Sequence, residues 1–123
     1  MPNLGLNRVL LIGHVVSEPR YKITQQHQRP RLWLRVQTTE GYRDQHDIER
    51  ERRSFHTVVV WGKHATALSA FLREGQAVAV EGRLSSRSYD SKGQKRYEVE
   101  VTATKLVVLT PANAQAPADL DAA

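Results

Sequence analysis

The run of residues 54–63 constrains the fold more than any other part of the sequence. It reads Ser-Phe-His-Thr-Val-Val-Val-Trp-Gly-Lys, and its β-branched residues favour a strand. Because side chains alternate along a strand, Phe55 and Trp61 share one face, where they stand about 20 Å apart. Rings at that separation suit different bases of an extended single strand of nucleic acid. Taken alone, the run also fits a strand that is buried on both faces.

The same alternation recurs with arginine in two further segments. In residues 31–36, Arg31, Trp33 and Arg35 alternate with leucine and valine, as in a half-buried strand whose polar face carries arginines around an indole. The pattern returns in Arg83, Ser85, Arg87 and Tyr89. Phosphates need cations and unpaired bases need stacking surfaces, so these segments predict a face that binds single-stranded nucleic acid.

Composition bounds the size of the protein and the chemistry of its partner. The chain has 123 residues, of which 40% are hydrophobic, so it has room for one domain with a single core. Its formal net charge of +5 favours a polyanion such as nucleic acid or anionic lipid, although a modest surplus also serves solubility. No apolar run is long enough to span a membrane, and the N-terminus lacks a signal-peptide pattern. We therefore expect a cytoplasmic, nucleoid-associated protein without a membrane partner.

The residues that could carry catalysis or a metal do not form a recognisable site. Cysteine is absent, which excludes disulfides and thiolate metal ligands. The five histidines, at positions 14, 27, 46, 56 and 64, form no close ligand pair. Gly62-Lys63 lacks the flanking residues of a phosphate-binding loop. We expect no enzyme activity, no catalytic residue, no metal site and no cofactor.

The order of predicted elements is strand, strand, strand, helix, strand, strand. The strands are predicted over residues 7–16, 31–38, 54–63, 76–89 and 94–109, with residues 21–24 as a further extension along the same sheet. Gly13 predicts a bulge or bend. A helix is predicted over residues 64–74, with Ala65, Leu68, Phe71 and Leu72 on its core-facing stripe. Residues 43–54 hold four acids and four arginines and predict a mobile connection.

This order matches a β-rich OB-fold, a five-stranded Greek-key barrel with a helix between strands 3 and 4. Such a barrel accounts for one domain over residues 1–110. Residues 111–123 are rich in alanine and proline, so we expect a short disordered tail there.

Several motifs, taken in order, resemble the bacterial single-stranded DNA-binding protein (SSB) family. The resemblance covers residues 7–109 and implies sequence-tolerant binding of single-stranded DNA in replication, repair and recombination. It also implies self-assembly as a homotetramer, with a dimer as the alternative. An OB-fold accessory protein of the primosome type, which mainly binds proteins, is the alternative function. The motifs are Asn7-Arg8-Val9, Leu11-Ile12-Gly13-His14, Glu18-Pro19, Thr39-Glu40-Gly41-Tyr42-Arg43-Asp44, Phe55-His56-Thr57-Val58-Val59, Trp61-Gly62-Lys63, Phe71-Leu72-Arg73-Glu74-Gly75 and Val80-Glu81-Gly82-Arg83-Leu84.

The resemblance implies four rings that stack on bases, and the alternation of residues 31–36 adds a fifth. Within residues 54–63, His56 has the opposite parity to Phe55 and Trp61, so we expect it to be packed away from these two rings. The predicted stacking residues are Tyr42, Phe55, Trp61, Tyr89 and Trp33. The predicted phosphate contacts are Arg35, Arg83, Arg87, Lys63, Lys92 and Arg8.

Two segments depart from the pattern of such proteins. A glycine-bearing turn usually precedes their second strand, whereas this chain has His27-Gln28-Arg29-Pro30. Typical members end in an acidic tip with a terminal Pro-Phe, whereas this sequence ends Ala-Asp-Leu-Asp-Ala-Ala. The second departure makes recruitment of repair enzymes doubtful.

Overall fold

The computed structural model describes residues 3–110, which form one sheet and one helix. The sheet has the strand order β1-β5-β6-β4-β3-β2, and β1 also pairs with β3. Five strands therefore close into a barrel, while the short β2 adds to the edge of β3. The elements are β1 (Val9–Val15), β2 (Arg20–Ile23), β3 (Pro30–Arg43), β4 (Glu49–Trp61), α1 (Lys63–Ser69), β5 (Ala77–Ser91) and β6 (Gln94–Val108).

Barrel closure and the position of the helix confirm the predicted OB-fold. β4 pairs with β6 in parallel, and β1 pairs with β3 through His14 and Gln37. Helix α1 follows β4 and precedes β5, which places it between the third and fourth strands of the barrel.

The core is built from alternate residues of the barrel strands. On β3, Leu32, Leu34 and Val36 are buried, and β4 adds Val58 and Val60. The half-buried pattern predicted for residues 31–36 is therefore confirmed. The helix covers one end of this core with its two buried residues, Ala65 and Leu68.

The predicted mobile connection over residues 43–54 is wrong. β3 and β4 continue as one ribbon, paired without interruption from Arg31↔Trp61 to Arg43↔Glu49. Only residues 44–48 turn the chain. Arg43 contacts Glu49 at 3.3 Å, and the Nε of Arg50 lies 2.8 Å from Asp44. A ribbon with water on both faces needs no apolar alternation, so hydrophobic periodicity could not detect it.

The helix is shorter than predicted, because it ends at Ser69 and not at Glu74. Beyond it, the Arg73 guanidinium donates to the carbonyls of Leu72 and Ala70 at 2.8 and 3.2 Å. The bond to Ala70 satisfies a carbonyl group that the helix leaves free at its C-terminus. Leu72 is buried as predicted, but Phe71 is 42% exposed and does not belong to the core.

Other predicted boundaries shift by one or two residues. β1 begins at Val9, and the second hairpin turns at Lys92 and Gly93, whose φ angles are 52° and 77°. Two consecutive positive φ angles are typical of a tight type I′ hairpin turn. The predicted tail over residues 111–123 lies outside the described residues.

Two glycines mark places where strands approach too closely for a side chain. Of the bulge or bend predicted at Gly13, the bulge is excluded, because Gly13 is paired regularly with Val78. A Cβ on Gly13 would lie 2.2 Å from the carbonyl oxygen of Gln37. The register shift lies instead at Gly82, where a Cβ would lie 2.1 Å from the carbonyl oxygen of Thr102.

We predict that Gly13→Ala and Gly82→Ala each destabilise the protein by at least about 1–3 kcal/mol, the usual cost of overpacking. Gly41→Ala is the matched control, since no atom lies within 4 Å of its added Cβ. Urea unfolding at one fixed protein concentration measures the difference. Equal midpoints for Gly13→Ala and Gly41→Ala would contradict the close approach.

Candidate nucleic-acid interface

The outer face of β3 and β4 brings together three of the predicted stacking rings. Register places Trp61 opposite Arg31, Val59 opposite Trp33, and Phe55 opposite Gln37. On β3, Arg31, Trp33 and Gln37 alternate with the buried leucines, and their paired residues on β4 point to the same side of the sheet. Trp33, Phe55 and Trp61 therefore share one face. Phe55 is 50% exposed. The alternative in which the run of residues 54–63 is buried on both faces holds only for Val58–Val60.

The face continues onto β6 and β5. Val59 on β4 pairs with Thr102 on β6, and Thr102 also pairs with Arg83 on β5. The residues of β5 that follow at the same parity are Ser85, Arg87 and Tyr89. The fourth ring, Tyr89, therefore lies on the same continuous face, near the tip of the β5–β6 hairpin.

Tyr42 is not brought together with the other rings. It has the parity of the buried residues of β3 and pairs with Arg50, on the face of the ribbon opposite to Phe55. The Arg52 guanidinium lies 4.6 Å from the Tyr42 ring centroid. Tyr42 thus lies apart from the other rings, with Arg50 and Arg52 beside it, near the turn between β3 and β4.

Each ring on the outer face has a guanidinium beside it. Arg29 lies 4.7 Å from the Trp61 centroid, Arg35 lies 5.4 Å from that of Phe55, and Arg87 lies 5.9 Å from that of Tyr89. Such spacings allow cation–π attraction. Strand alternation does not reveal Arg29, because this residue lies in the turn before β3. It follows Gln28, whose φ of 54° lies in the left-handed region that favours glycine.

The predicted phosphate contacts have different surroundings. Arg87 is 2.9 Å from Glu98, and Arg8 is 2.8 Å from Glu81, away from the rings. Within residues 3–110, neither Arg35 nor Arg83 has an acidic partner within ion-pair distance. Lys63 is exposed at the start of α1, and Lys92 is exposed in the hairpin turn.

One ion pair on this face is largely buried. Arg31 Nη2 lies 3.5 Å from Glu100 Oε1, and the two side chains are only 12% and 9% exposed. Burial lowers the pKa of Arg31, and the neighbouring Glu100 carboxylate opposes that shift. No local sequence pattern assigns Glu98 or Glu100 a role at the site.

The opposite parity predicted for His56 is confirmed. Its Nε2 lies 3.0 Å from the hydroxyl of Thr38, on the inner side of β3 and β4. A hollow of about 490 Å³ beside Trp33 extends the outer face toward β2, and it is lined by Arg20, Tyr21, Lys22 and Trp33.

Residues 3–110 offer neither a cluster of metal ligands nor a helix that could span a membrane. No group of three or more His, Asp or Glu side chains in this part could hold a metal ion. The helix it contains is too short and too polar to cross a membrane.

A closed five-stranded barrel with a cationic, aromatic outer face belongs to the OB-fold class. The chain matches the Single-strand binding protein family over residues 6–109. It belongs to that family.

Two curated relatives are similar over most of this chain. Single-stranded DNA-binding protein 1 of Chlorobaculum tepidum is 37% identical over 107 residues, which cover 85% of this chain and 65% of the relative. The single-stranded DNA-binding protein of Rhizobium meliloti is 36% identical over 100 residues, covering 79% of this chain and 57% of the relative. The chain thus spans less than two thirds of the length of either relative.

Two solved structures have similar folds. A deletion mutant of the single-stranded DNA binding protein from Thermus aquaticus gives a TM-score of 0.79 at 33% identity, covering 86% of this chain and 51% of that one. The Plasmodium falciparum SSB in complex with single-stranded DNA gives 0.80 at 27% identity, covering 89% of this chain and 100% of that one.

Asp44 organises the turn between β3 and β4, next to Tyr42 and Arg50. Its Oδ1 accepts from the amides of His46 and Ile48 at 2.8 and 3.0 Å, and its Oδ2 accepts from Arg50. The bond from Arg50, followed by that from the Ile48 amide, holds the pKa of Asp44 below its ordinary value of 3.8.

Because the folded-state pKa is the lower one, Asp44 stabilises the fold above pH about 4, and this stabilisation is lost as the pH falls through the folded value. We predict that Asp44→Ala lowers the urea midpoint at pH 7 and that its difference from the wild type shrinks below pH about 4. Asp90→Ala, on the other hairpin, controls for loss of a surface carboxylate. If the difference in urea midpoint between Asp44→Ala and the wild type stayed constant down to about pH 2.5, Asp44 would not have a lowered pKa in the folded protein.

Proposed function

We propose that this chain binds single-stranded DNA with little sequence preference and so protects unwound strands in replication, repair and recombination. The observation that carries the proposal is the shared outer face of Trp33, Phe55 and Trp61, where every ring has a guanidinium within 6 Å. Family membership and the similarity to an SSB bound to single-stranded DNA support it. We also infer a cytoplasmic, nucleoid-associated location, without catalysis.

The chemistry of the face favours tolerance over sequence readout. Every base has a π-face, so stacking on a ring accepts any of the four bases. Readout of base edges would need free amide or acid groups directed at them. The two acids of β6 on this face, Glu98 and Glu100, are both ion-paired with arginines.

Fluorescence titration with labelled oligo-dT, oligo-U and duplex DNA at two salt concentrations tests the proposal. We expect tight binding to oligo-dT and much weaker binding to the duplex. Equal or tighter duplex binding at moderate salt would refute it. Weak binding to all three nucleic acids would favour the alternative, an OB-fold accessory protein of the primosome type.

We predict that Trp61→Ala or Phe55→Ala weakens oligo-dT binding by roughly 1–3 kcal/mol, the usual value of one stacked base. The slope of log K against log salt should stay unchanged, because no phosphate contact is lost. Tyr97→Ala is the control, since Tyr97 is 74% exposed on the β5–β6 hairpin but has the opposite parity to Tyr89. Normal binding by a folded Trp61→Ala variant would show that the face is misassigned.

Arginine substitutions should have the complementary signature. We predict that Arg35→Ala or Arg83→Ala flattens the salt slope by about 0.7, the value for one lost phosphate contact on a single strand. Arg87→Ala should flatten it less, because Arg87 must first leave Glu98, 2.9 Å away. A salt series from 50 to 400 mM, roughly 0.9 decade of concentration, measures each slope. Equal slopes for the wild type and Arg35→Ala would remove Arg35 from the path of the strand.

We further propose that the chain assembles as a homotetramer, with a dimer as the alternative, through the outer side of β1. Leu10 and Ile12 are each 70% exposed and line a groove of about 580 Å³ with residues of β5 and β6. Between Val9 and Gly13, β1 pairs with β5 on one side only. Exposed apolar strand edges of this kind are normally covered, and a second copy of β1 would cover both the edge and the two side chains.

We predict that Ile12→Glu lowers the mass measured by light scattering, because a charge at the centre of such an interface would have to be desolvated. Ile48→Glu makes the same exchange at a residue that is 49% exposed in the turn between β3 and β4. This control should keep the wild-type mass. An unchanged mass for a folded Ile12→Glu variant would place self-association elsewhere.

A further inference from the structure

The two acids of β6 on the proposed DNA face differ in their surroundings. The Glu98 side chain is 40% exposed and lies 2.9 Å from Arg87. The Glu100 side chain is only 9% exposed and lies 3.5 Å from Arg31. A carboxylate on a face that binds a polyanion repels its ligand. Glu98 is neutralised at the surface, but a buried acid at this position requires a different explanation.

Arg31 links that acid to both indoles of the face. Its guanidinium carbon lies 3.8 Å from the Trp33 centroid and 5.1 Å from the Trp61 centroid. Arg31 is also the direct cross-strand partner of Trp61. A guanidinium is planar, so it can stack on a ring while its N–H groups face a carboxylate.

We propose that Arg31 is a positioning residue, anchored by Glu100, that fixes Trp33 and Trp61 as one two-ring platform for bases. It is not a phosphate contact, although it is an arginine on the face that binds the strand. This assignment rests on the proposed function, since it concerns how the same face holds its rings.

Burial and charge both separate Arg31 from the phosphate path. Only 12% of its side chain is exposed, and a phosphate that reached it would come close to the Glu100 carboxylate. Arg29 is exposed and lies 4.7 Å from the Trp61 centroid, so it offers the strand a more accessible cation at the same ring. The two arginines beside Trp61 therefore have different roles.

The ion pair is poorly built as a device for stability alone. Among residues 3–110, the Nε of Arg31 and the Oε2 of Glu100 are buried without a hydrogen-bond partner. A buried ion pair contributes little to stability unless its remaining polar atoms are also satisfied. The pair instead places a planar cation against two rings.

Substitution of Arg31 by lysine and by methionine separates positioning from phosphate binding. Lysine keeps the charge but loses the planar group, so both variants should weaken oligo-dT binding by about tenfold, the scale of one lost stacked base. Both should keep the wild-type salt slope. If Arg31 contacted a phosphate, lysine would retain most of the affinity and methionine would flatten the slope by about 0.7. That pattern would overturn the proposal.

Substitution of the two acids gives effects of opposite sign. Glu100→Gln and Glu98→Gln each remove one negative charge from the same strand and the same face. Glu98→Gln should tighten oligo-dT binding, because it frees Arg87 and lowers repulsion. Glu100→Gln should weaken it, because Arg31 loses its anchor. Tighter binding by both variants would show that Glu100 acts only as a repulsive charge.

Tryptophan fluorescence tests the platform without DNA. The chain contains two tryptophans, which are Trp33 and Trp61, so the signal reports this platform alone. Acrylamide should quench Arg31→Lys and Glu100→Gln more strongly than the wild type, with Glu98→Gln unchanged. Far-UV circular dichroism identifies the variants that fold. If Glu100→Gln does not fold, the quenching of Arg31→Lys decides the test. Unchanged quenching in folded Arg31→Lys would overturn the positioning role, whereas failure of the wild type to bind oligo-dT would refute the proposed function.

Discussion

The register between β3 and β4 is the constraint on which the site depends. A slip of one residue would exchange the two faces of a strand. Such a slip would move Leu32 and Leu34 out of the core and turn Trp33 into it, so the burial of the two leucines fixes the position of the indole. The same pairing places Trp61 opposite Arg31. Core packing on one side of the sheet thereby determines the arrangement of rings and cations on the other.

A face that binds single strands must keep its rings exposed but oriented. Phe55 is half exposed and Arg35 lies near its ring, whereas Trp33 and Trp61 share the largely buried guanidinium of Arg31. Exposure provides surface for stacking, and the neighbouring cations limit the orientations that each ring adopts. The acids of β6 lower the local positive charge, so the net charge of +5 overstates the field at this face.

Sequence alternation predicted the parts of the face that lie over the core. Residues 31–36 and 55–61 alternate because one side is buried, and their rings were placed correctly on the other side. The ribbon beyond the barrel has no buried side, so the pattern ended at residue 38 and β3 appeared too short. The side of β3 on which Tyr42 lies could still have been predicted from the sequence. If β3 is extended to residue 42, alternation puts Tyr42 on the same side as Leu32 and not on that of Trp33. The roles of Glu98 and Glu100 depend on tertiary pairing and have no such local signal.

The acids of β6 reach the outer face because a bulge in this strand changes which residues point outward, from even-numbered ones before it to odd-numbered ones after it. Glu81 pairs with Lys105 but Gly82 pairs with Ala103, so Thr104 is an extra residue in β6, and its hydroxyl donates to the Glu81 carbonyl. On one side of this bulge, Lys105 and Val107 line the apolar groove beside β1. On the other side, the even-numbered residues 98, 100 and 102 share the face of the rings. Since bulges redirect side chains within a continuous ladder, this one lets β5 and β6 serve both the proposed self-association surface and the proposed DNA face.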